Sequence, residues 1–281
     1  MRRRSLPRAS GRVIRVRSSD GVRLAGLAFP AAPGVPAGHP TFVVAHGFTH
    51  SVSRESFARL AGWLTAFGDV RALDSRGHGS SGGGTAAGGD PELADVDAAV
   101  RAARVAGAGS VVTVGLSMGG GAVLRQAAVG EHRPDAVVSV SAVSRWYVRD
   151  TRPMRRVHWL LETTVGRRLG AALLGLRLDV PWATVPAAPV QLVSAIAPLP
   201  LLLVHGDRDE YFPVEHFRTL AQAAGPAATV WLEPGMGHAE SGTTAQLAGR
   251  IGRWAVAAVG GNDTAGRTVP VGTALSATIA G

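Results

Sequence analysis

Short apolar runs alternate with helical patterns along most of this chain of 281 residues. Several runs are continuous rather than alternating, which is typical of strands buried on both faces of a parallel sheet. Between several of them, apolar residues recur every three or four positions, as on one face of a helix. The pattern predicts an α/β fold with a mostly parallel, doubly wound sheet of about eight strands. The continuous runs are residues 41–47, 69–74, 110–117, 135–143, 200–206 and 228–235.

The first two strands differ from the rest. Residues 12–17 and 22–29 mix apolar and basic positions around an Asp-Gly turn signal, which predicts an antiparallel hairpin at one edge of the sheet. Two helix starts carry capping residues, with Ser53 or Ser56 before the first helix and Asp90, followed by proline, at the second. The predicted helices cover about 57–64, 90–106, 118–130 and 241–259.

One long stretch breaks the strand–helix rhythm and suggests how the chain is divided. Residues 145–198 are rich in tryptophan, leucine and methionine, and we expect them to form a small helical cap over the carboxyl edge of the sheet. The α/β core then comprises residues 12–144 and 199–259. Residues 1–11 are expected to form a flexible basic arm, and residues 260–281, which lack periodicity, a disordered tail.

Composition narrows the classes of function. The formal net charge is +9, and every one of the 29 basic side chains is arginine. Many of these arginines crowd the first seventeen residues, and the aromatic residues that would stack on bases are sparse, so nucleic acid is not an expected partner. The absence of cysteine excludes disulfides and thiolate metal sites.

Targeting signals are weak in this sequence. The arginines at positions 2–4 resemble the start of a signal peptide, but the apolar segment that should follow them is broken by polar residues. No apolar run is long enough to cross a bilayer. The sequence therefore predicts a cytoplasmic protein without a membrane span.

The chemistry centres on Ser117, which lies between a predicted strand and a predicted helix. It is flanked by Gly115 and Gly119 in a Gly-x-Ser-x-Gly pentapeptide, the arrangement of a nucleophile elbow. The glycines relieve crowding in the tight turn, and the helix amino terminus offers N–H groups where an oxyanion would form. A phosphate-binding loop is disfavoured, because the chain has no lysine and neither phosphate-loop spacing is met.

A serine nucleophile needs a base and an acid that orients it. Both are expected after later strands, whose carboxyl ends meet at the same edge of the sheet. His238 follows the last strand, and Asp207 and Asp209 follow the strand before it. Glu233 and Glu240 flank the histidine, and they are less favoured alternatives for the acid. The order serine, aspartate, histidine is typical of one hydrolase fold.

Five segments together resemble the α/β-hydrolase-fold serine hydrolases. The resemblance covers roughly residues 12–259 and includes the esterase, monoacylglycerol-lipase-like and serine aminopeptidase-like branches. The segments keep the order of the family's oxyanion segment, its Arg-Gly-His-Gly loop, its elbow, its acid loop and its histidine loop. They are HGF at 46–48, LDSRGHGSS at 73–81, GLSMGG at 115–120, HGDRDEYFP at 205–213 and GMGH at 235–238.

The resemblance implies a role for each matching residue. Ser117 would be the nucleophile, and His238 would act as general base and then as general acid. Asp209 would orient His238, since the family's spacing favours it over the aspartate two residues earlier. The backbone N–H groups of Phe48 and Met118 would form the oxyanion hole, and no cofactor is implied.

Other polar residues near these motifs have structural interpretations. His46 and His50 lie four residues apart without a carboxylate to complete a ligand set, so no metal site is predicted. His46 is expected to order the oxyanion loop, and His78 to have a structural role in its glycine-rich turn. Asp74 and Arg76 are expected to pin that loop through an ion pair.

The sequence thus predicts a serine hydrolase that cleaves a carboxylic ester of a small molecule. The apolar cap favours a small or medium apolar acyl or alcohol group, while its arginines are expected to be mostly solvated. A peptidase or amidase, and a cofactor-free perhydrolase, remain alternatives on the same residues. A non-catalytic receptor or scaffold of this fold is a more remote one. The oligomeric state is left open.

Overall fold

The chain folds around one eight-stranded sheet with the strand order β1-β2-β4-β3-β5-β6-β7-β8. A computed structural model describes residues 11–179 and 182–260. The strands are β1 (Arg12–Arg17), β2 (Arg23–Phe29), β3 (Thr41–Ala45), β4 (Asp69–Leu73), β5 (Val111–Leu116), β6 (Ala136–Val140), β7 (Leu201–Gly206) and β8 (Thr229–Glu233). The helices are α1 (Glu55–Leu64), α2 (Asp90–Val105), α3 (Met118–Val129), α4 (Arg152–Glu162), α5 (Thr164–Leu174), α6 (Pro189–Leu192), α7 (Val214–Ala224), α8 (Ala239–Gly242) and α9 (Ala245–Gly260).

The sheet confirms the predicted topology. Strands β3 to β8 pair in parallel, whereas β1 and β2 form an antiparallel hairpin that joins β4 at one edge. Strand β3 shows why the apolar runs are continuous, because both of its faces are covered. Phe42 and Val44 pack with α1 and α9 on one face, while Val43 and Ala45 pack with α2 and α3 on the other.

Two predicted helix starts are wrong. Helix α1 begins at Glu55 without a side-chain cap, and Ser53, one of the two expected caps, instead hydrogen-bonds to a neighbouring serine. Ser56 lies inside the helix. Helix α2 begins with Asp90 as its first residue, after Gly89 at φ 112°. The Asp90 carboxylate is held by a buried arginine of α3 instead of capping its own helix.

The carboxyl-terminal helices also depart from the prediction. Helix α7 is additional to the predicted elements, and it packs His216, Phe217 and Leu220 against the sheet. The last helix is split into a single turn, α8, and the longer α9. The turn between them separates the residues after β8 from the helix that covers the sheet.

Residues 145–198 contain α4, α5, α6 and a 3₁₀ turn at Val193–Ile196. None of the α4 residues is fully buried. The 3₁₀ turn returns to the core, where Val193 and Ile196 are buried with side chains of α3. The division into core and cap stays a prediction.

Apart from Gly11 and Gly260, the predicted arm and tail lie outside the described residues. Within residues 11–179 and 182–260, no helix has the length and apolarity required to cross a bilayer.

Candidate active site

Ser117 lies in a sharp turn between β5 and α3. Its backbone has φ 53° and ψ −114°, a conformation that non-glycine residues rarely adopt. A Cβ on Gly115 would lie 2.2 Å from the Gly119 carbonyl oxygen, and one on Gly119 would lie 2.3 Å from the Ala45 carbonyl oxygen. The turn can therefore form only because both flanking residues lack side chains.

Two side chains from later loops form a hydrogen-bonded series with Ser117: His238 contacts the serine, and Asp209 contacts His238. The His238 Nε2 atom lies 2.8 Å from the Ser117 Oγ atom. The His238 Nδ1 atom lies 2.9 and 2.8 Å from the two carboxylate oxygens of Asp209. Since a carboxylate only accepts hydrogen bonds, Nδ1 carries the proton and Nε2 is free to accept the serine hydroxyl proton. The structure thus brings together three residues predicted from separate strand ends.

Asp209 is built to remain ionised. Its side chain has no exposed surface, and its Oδ1 atom accepts the N–H groups of Tyr211 at 2.9 Å and Phe212 at 3.0 Å. Burial raises the pKa of the Asp209 carboxyl, but hydrogen bonds and the charge of His238 outweigh it and hold the pKa below its usual value. The carboxylate can therefore stabilise a charged His238 during a reaction.

Asp207 has a different partner. Its carboxylate accepts the N–H of Gly235 at 2.6 Å, which ties the loop after β7 to the loop after β8. Glu233 also turns away from the histidine and pairs with Arg250 at 2.7 Å. Neither carboxylate has a hydrogen bond to His238 in the described part of the chain.

The segment after β3 lies against the serine. A Cβ on Gly47 would be 3.2 Å from the Ser117 Cβ atom, and Phe48 and Met118 line the same pocket as Ser117. The His46 Nδ1 atom lies 2.8 Å from the Gly47 carbonyl oxygen, and its Nε2 atom accepts the N–H of Ser75 at 3.0 Å. Nδ1 must therefore be the donor, which fixes the plane of the peptide that carries the Phe48 N–H.

His46 is suited to this structural position because it is uncharged. Burial lowers its pKa to about 3, with a further contribution from the neighbouring His78. His78 is also buried, and its ring packs edge-on against His46 and Phe48 at centroid distances of 4.9 and 5.8 Å. Two neutral imidazoles therefore support the turn beneath Phe48.

The expected ion pair between Asp74 and Arg76 is wrong. Arg76 instead binds Asp20 at 2.6 Å and Asp95 at 2.7 Å, which ties the loop to the β1–β2 hairpin and to α2. Asp74 accepts backbone N–H groups, including that of Val52 at 2.7 Å. The loop is pinned, but by partners that are distant in sequence.

Glu240, which the sequence offers as a less favoured alternative for the acid, is part of the site through a contact with Gly47. It is 4% exposed, lines the pocket and accepts the N–H of Gly47 at 2.6 Å. Its two carboxylate oxygens lie 3.1 and 3.2 Å from the place where a Gly47 Cβ would be. A carboxylate therefore braces the turn next to the nucleophile through the Gly47 N–H, while His46 binds the Gly47 carbonyl oxygen.

The pocket above Ser117 has a volume of about 220 Å³ and a largely apolar wall. Trp146 and Trp182 face each other at 5.0 Å, and their indole N–H groups are bound by the carbonyls of Pro186 and Gly88. Helix α4 supplies the other wall with Met154, Val157, His158 and Leu161. Both walls come largely from residues 145–198.

A group of side chains that could bind a metal ion lies elsewhere. Among the described residues, Asp97, Glu131 and His132 are close enough together to share an ion, but they lie outside the pocket. His132 Nδ1 is already within 2.8 Å of Asp97. The pocket residues offer no comparable group in the part of the chain that the structure describes.

Comparison with known proteins agrees with this architecture. A sequence model of the family described as serine aminopeptidase, S33, matches residues 38–184, just over half of the chain. The protein therefore belongs to this α/β-hydrolase family, and it is a hydrolase. The resemblance predicted from the five segments is confirmed. No curated protein sequence matches the chain.

Solved structures share the fold at low identity. The esterase Pf2001 of Pyrococcus furiosus is 20% identical, with a TM-score of 0.68 over 90% of this chain and 94% of that one. An α/β serine hydrolase without lid from Xanthomonas campestris is 19% identical, with a TM-score of 0.60 over 89% and 97%. Est1E of Butyrivibrio proteoclasticus, solved with ferulic acid bound, is 19% identical, with a TM-score of 0.59 over 87% and 99%.

Proposed function

We propose that this protein hydrolyses carboxylic esters through an acyl-enzyme on Ser117. The observation that carries the proposal is the hydrogen-bonded series from Ser117 Oγ through His238 to the buried Asp209 carboxylate. A serine hydroxyl becomes an effective nucleophile when a positioned base accepts its proton. This series supplies such a base and a carboxylate to orient it.

The reaction would proceed in two halves. His238 accepts the proton of Ser117 as the hydroxyl oxygen attacks the ester carbonyl, and the backbone N–H groups of Phe48 and Met118 stabilise the oxyanion. The carbon–oxygen bond to the alcohol then breaks, and His238 donates the proton to the leaving oxygen. A water molecule attacks the acyl-enzyme with His238 again as base, which releases the acid and restores Ser117. Asp209 stays ionised throughout.

The substrate is proposed to be a small or medium apolar ester. The pocket volume of about 220 Å³ is below the range of about 300–1,000 Å³ that is usual for drug-sized ligands. Its walls are mainly aromatic and aliphatic side chains of residues 145–198, which we propose act as the cap that selects the substrate. The cytoplasm remains the expected location.

Cleavage of amides is the second candidate function, because the matching family model is that of a serine aminopeptidase. The same three residues would serve both reactions, since each passes through a tetrahedral oxyanion and an acyl-enzyme. A panel of p-nitrophenyl esters and aminoacyl anilides compares them directly. We expect turnover of short esters to exceed that of anilides, and the reverse result would favour the peptidase.

The assignment of the residues is tested by labelling and by a pair of aspartate variants. A fluorophosphonate probe should label Ser117, and Ser117→Ala should abolish both labelling and turnover. Asp209→Asn should lower kcat by about 10⁴-fold, because an amide no longer holds His238 in the productive tautomer. Asp207→Asn is the matched control and should retain most activity, since Asp207 bonds only to the loop. A larger loss in Asp207→Asn than in Asp209→Asn would refute the assigned acid.

A further inference from the structure

Helix α4 has two faces with different surroundings. Met154, Val157, His158 and Leu161 line the pocket, and they are spaced as one face of a helix. The opposite face carries Arg152, Arg155, Arg156 and Trp159, which line a shallow groove on the outside of the molecule. The side chain of Trp159 is 46% exposed. A large aromatic residue among three arginines is thus presented to the surroundings.

Helix α5, which packs against α4, also presents apolar residues to the surroundings. Val165, Leu169 and Leu173 are exposed along it, Leu173 to 75%, together with Arg168. Exposed large apolar residues occur elsewhere in the described chain, but they are more concentrated on α4 and α5 than on the other helices. We call these eight residues the outer cap surface: Arg152, Arg155, Arg156 and Trp159 of α4, and Val165, Arg168, Leu169 and Leu173 of α5.

The charge of the outer cap surface is not compensated locally. The only carboxylate on α4 and α5 is Glu162, which is paired with Arg149 and His158 on the other side. Among the described residues, Arg152, Arg156 and Arg168 form no ion pair. A partner for this surface therefore needs negative charge for the arginines and an apolar region that can accommodate the exposed apolar side chains.

We propose that the outer cap surface docks on an anionic lipid surface. Arginine and apolar side chains at a bilayer interface act together, because charged heads bind lipid phosphates while apolar groups enter the acyl boundary. On α4 and α5 the arginines are interspersed with exposed apolar side chains, and Arg152, Arg156 and Arg168 form no ion pair among the described residues. This combination fits an anionic headgroup layer, which offers both phosphate charge and an apolar boundary. Docking would place the pocket-lining face of α4 one helix diameter, about 10 Å, from the lipid.

Vesicle flotation with the full chain tests the proposal. We expect binding to vesicles of phosphatidylcholine mixed with phosphatidylglycerol, and little binding to phosphatidylcholine alone. Raising the salt from about 0.1 M to about 1 M should weaken the binding, since the screening length falls from about 10 to about 3 Å. The triple variant Arg152→Gln, Arg156→Gln, Arg168→Gln should bind about a hundredfold more weakly.

The basic amino-terminal segment is the matched comparison. Arg2→Gln, Arg3→Gln, Arg4→Gln removes the same charge from the same chain, and we expect it to weaken vesicle binding less than the cap triple variant. The proposal is overturned if the cap variant binds as well as the unaltered protein, or no more weakly than the amino-terminal variant. Absence of binding to anionic vesicles overturns it as well.

A second pair of variants tests apolar insertion. Trp159→Ala, Leu173→Ala should reduce the binding that persists at high salt, whereas Val105→Ala, Val129→Ala, at exposed sites on α2 and α3, should not. Turnover of a dissolved ester should be unchanged in the cap triple variant and in these two double variants, because none of their residues lines the active-site pocket. Light scattering measures the oligomeric state of the same proteins. If the unaltered protein is a dimer that does not bind vesicles, and the Trp159→Ala, Leu173→Ala variant is a monomer, a second copy of the chain covers the surface and the lipid proposal is overturned.

Discussion

At the residue scale, the peptide groups of Gly47 show how the oxyanion segment is held. Glu240 accepts the Gly47 N–H at 2.6 Å, and His46 donates to the Gly47 carbonyl oxygen at 2.8 Å. That carbonyl belongs to the same planar peptide as the Phe48 N–H, so holding one end fixes the direction of the other. The proposed oxyanion donor is therefore positioned by two side chains that bond to the backbone of Gly47.

Glu240 can be tested by separating its charge from its acceptor oxygen. Glu240→Gln keeps an oxygen that accepts the Gly47 N–H, and we expect only a small loss of kcat. Glu240→Ala leaves that N–H buried and unpaired, so kcat should fall by about 10- to 100-fold, because a displaced oxyanion donor weakens transition-state stabilisation. KM should change little, since the interaction acts on the transition state.

The measurement is steady-state kinetics on a short ester well below the melting temperature of each variant. Equal losses in Glu240→Gln and Glu240→Ala would contradict the positioning role, because they would show that charge alone matters. A lower melting temperature with unchanged kcat would also contradict it.

The sequence predicts the roles of residues that follow strand ends, but not of residues whose partners are brought together only by loop packing. Ser117, Asp209 and His238 follow strand ends, and parallel strands deliver their carboxyl ends to one edge. The sequence indicates that Glu240 lies near His238 and offers it as a less favoured acid, but it does not indicate the bond to Gly47, which is 193 positions away. Such a contact depends on how two loops pack, which local patterns do not record.

At the element scale, the junction of β5 and α3 depends on close backbone approach at one glycine and not at another. A Cβ on Gly119 would lie 2.3 Å from a β3 carbonyl oxygen, whereas one on Gly121 would meet its nearest side chains at 3.6 Å. Gly120 is intermediate, with its nearest contact at 3.0 Å from the Ser139 Oγ atom of β6. Gly121 therefore has room for a side chain, whereas close backbone approach excludes one at Gly119.

These two positions give a matched pair of substitutions within one helix. Gly119→Ala should destabilise the protein strongly and abolish turnover, because backbone atoms of β3 and α3 would have to separate. Gly121→Ala should raise the free energy of unfolding by about 1 kcal/mol, the difference in helix propensity, and keep activity. Urea unfolding and ester turnover measure both effects. Comparable behaviour of the two variants would show that the close approach at Gly119 is not limiting.

The starts of α1 and α2 show where local signals fail at this scale. Asp90 has the residue type of a cap, but a buried arginine on α3 competes for its carboxylate. Gly89 takes the cap position with a φ of 112°, and a Cβ there would lie 2.7 Å from the Trp182 indole nitrogen. Tertiary contacts therefore decide where this helix begins, and they also connect its start to the wall of the pocket.

At the scale of the whole molecule, the layered fold was predictable because few topologies satisfy the pattern. Continuous apolar strands separated by helices require a parallel sheet covered on both faces, and the connections between strands follow a fixed hand. The shape of the pocket was not predictable. It is set by Trp146, Trp182 and α4, whose packing depends on contacts between residues 86–89 and the segment after α5.

One buried acid links this packing to the stability of the whole chain. Glu92 of α2 is 1% exposed, and it accepts the Thr85 hydroxyl at 2.6 Å, while its other carboxylate oxygen has no hydrogen-bond partner among the described residues. Thr85 in turn pairs with Leu178 beyond α5. Burial raises the pKa of Glu92 to about 7 from a usual value of 4.5.

A raised pKa in the folded state makes the protonated form the stabilising one. The contribution of Glu92 to stability is therefore fully present below about pH 4.5 and is lost as the pH rises through about 7. The total loss is about 3 kcal/mol, at about 1.4 kcal/mol for each pH unit between the two pKa values. Above pH 7 the Glu92 carboxylate is ionised in the folded chain, and the hydrogen bond from Thr85 offsets little of the cost of burying its charge.

Glu92→Gln removes this titration while keeping an oxygen for the Thr85 hydroxyl. We expect the variant to match the unaltered protein near pH 5 and to be more stable near pH 8, by urea unfolding at both values. Glu215→Gln on α7 is the control, since the Glu215 side chain is 71% exposed and should give a difference that does not change with pH. If the difference between Glu92→Gln and the unaltered protein is the same at both pH values, Glu92 is not the group whose proton stabilises the fold. If the variant instead loses stability as the pH rises, the sign of the linkage is reversed and the ionised carboxylate must have a partner.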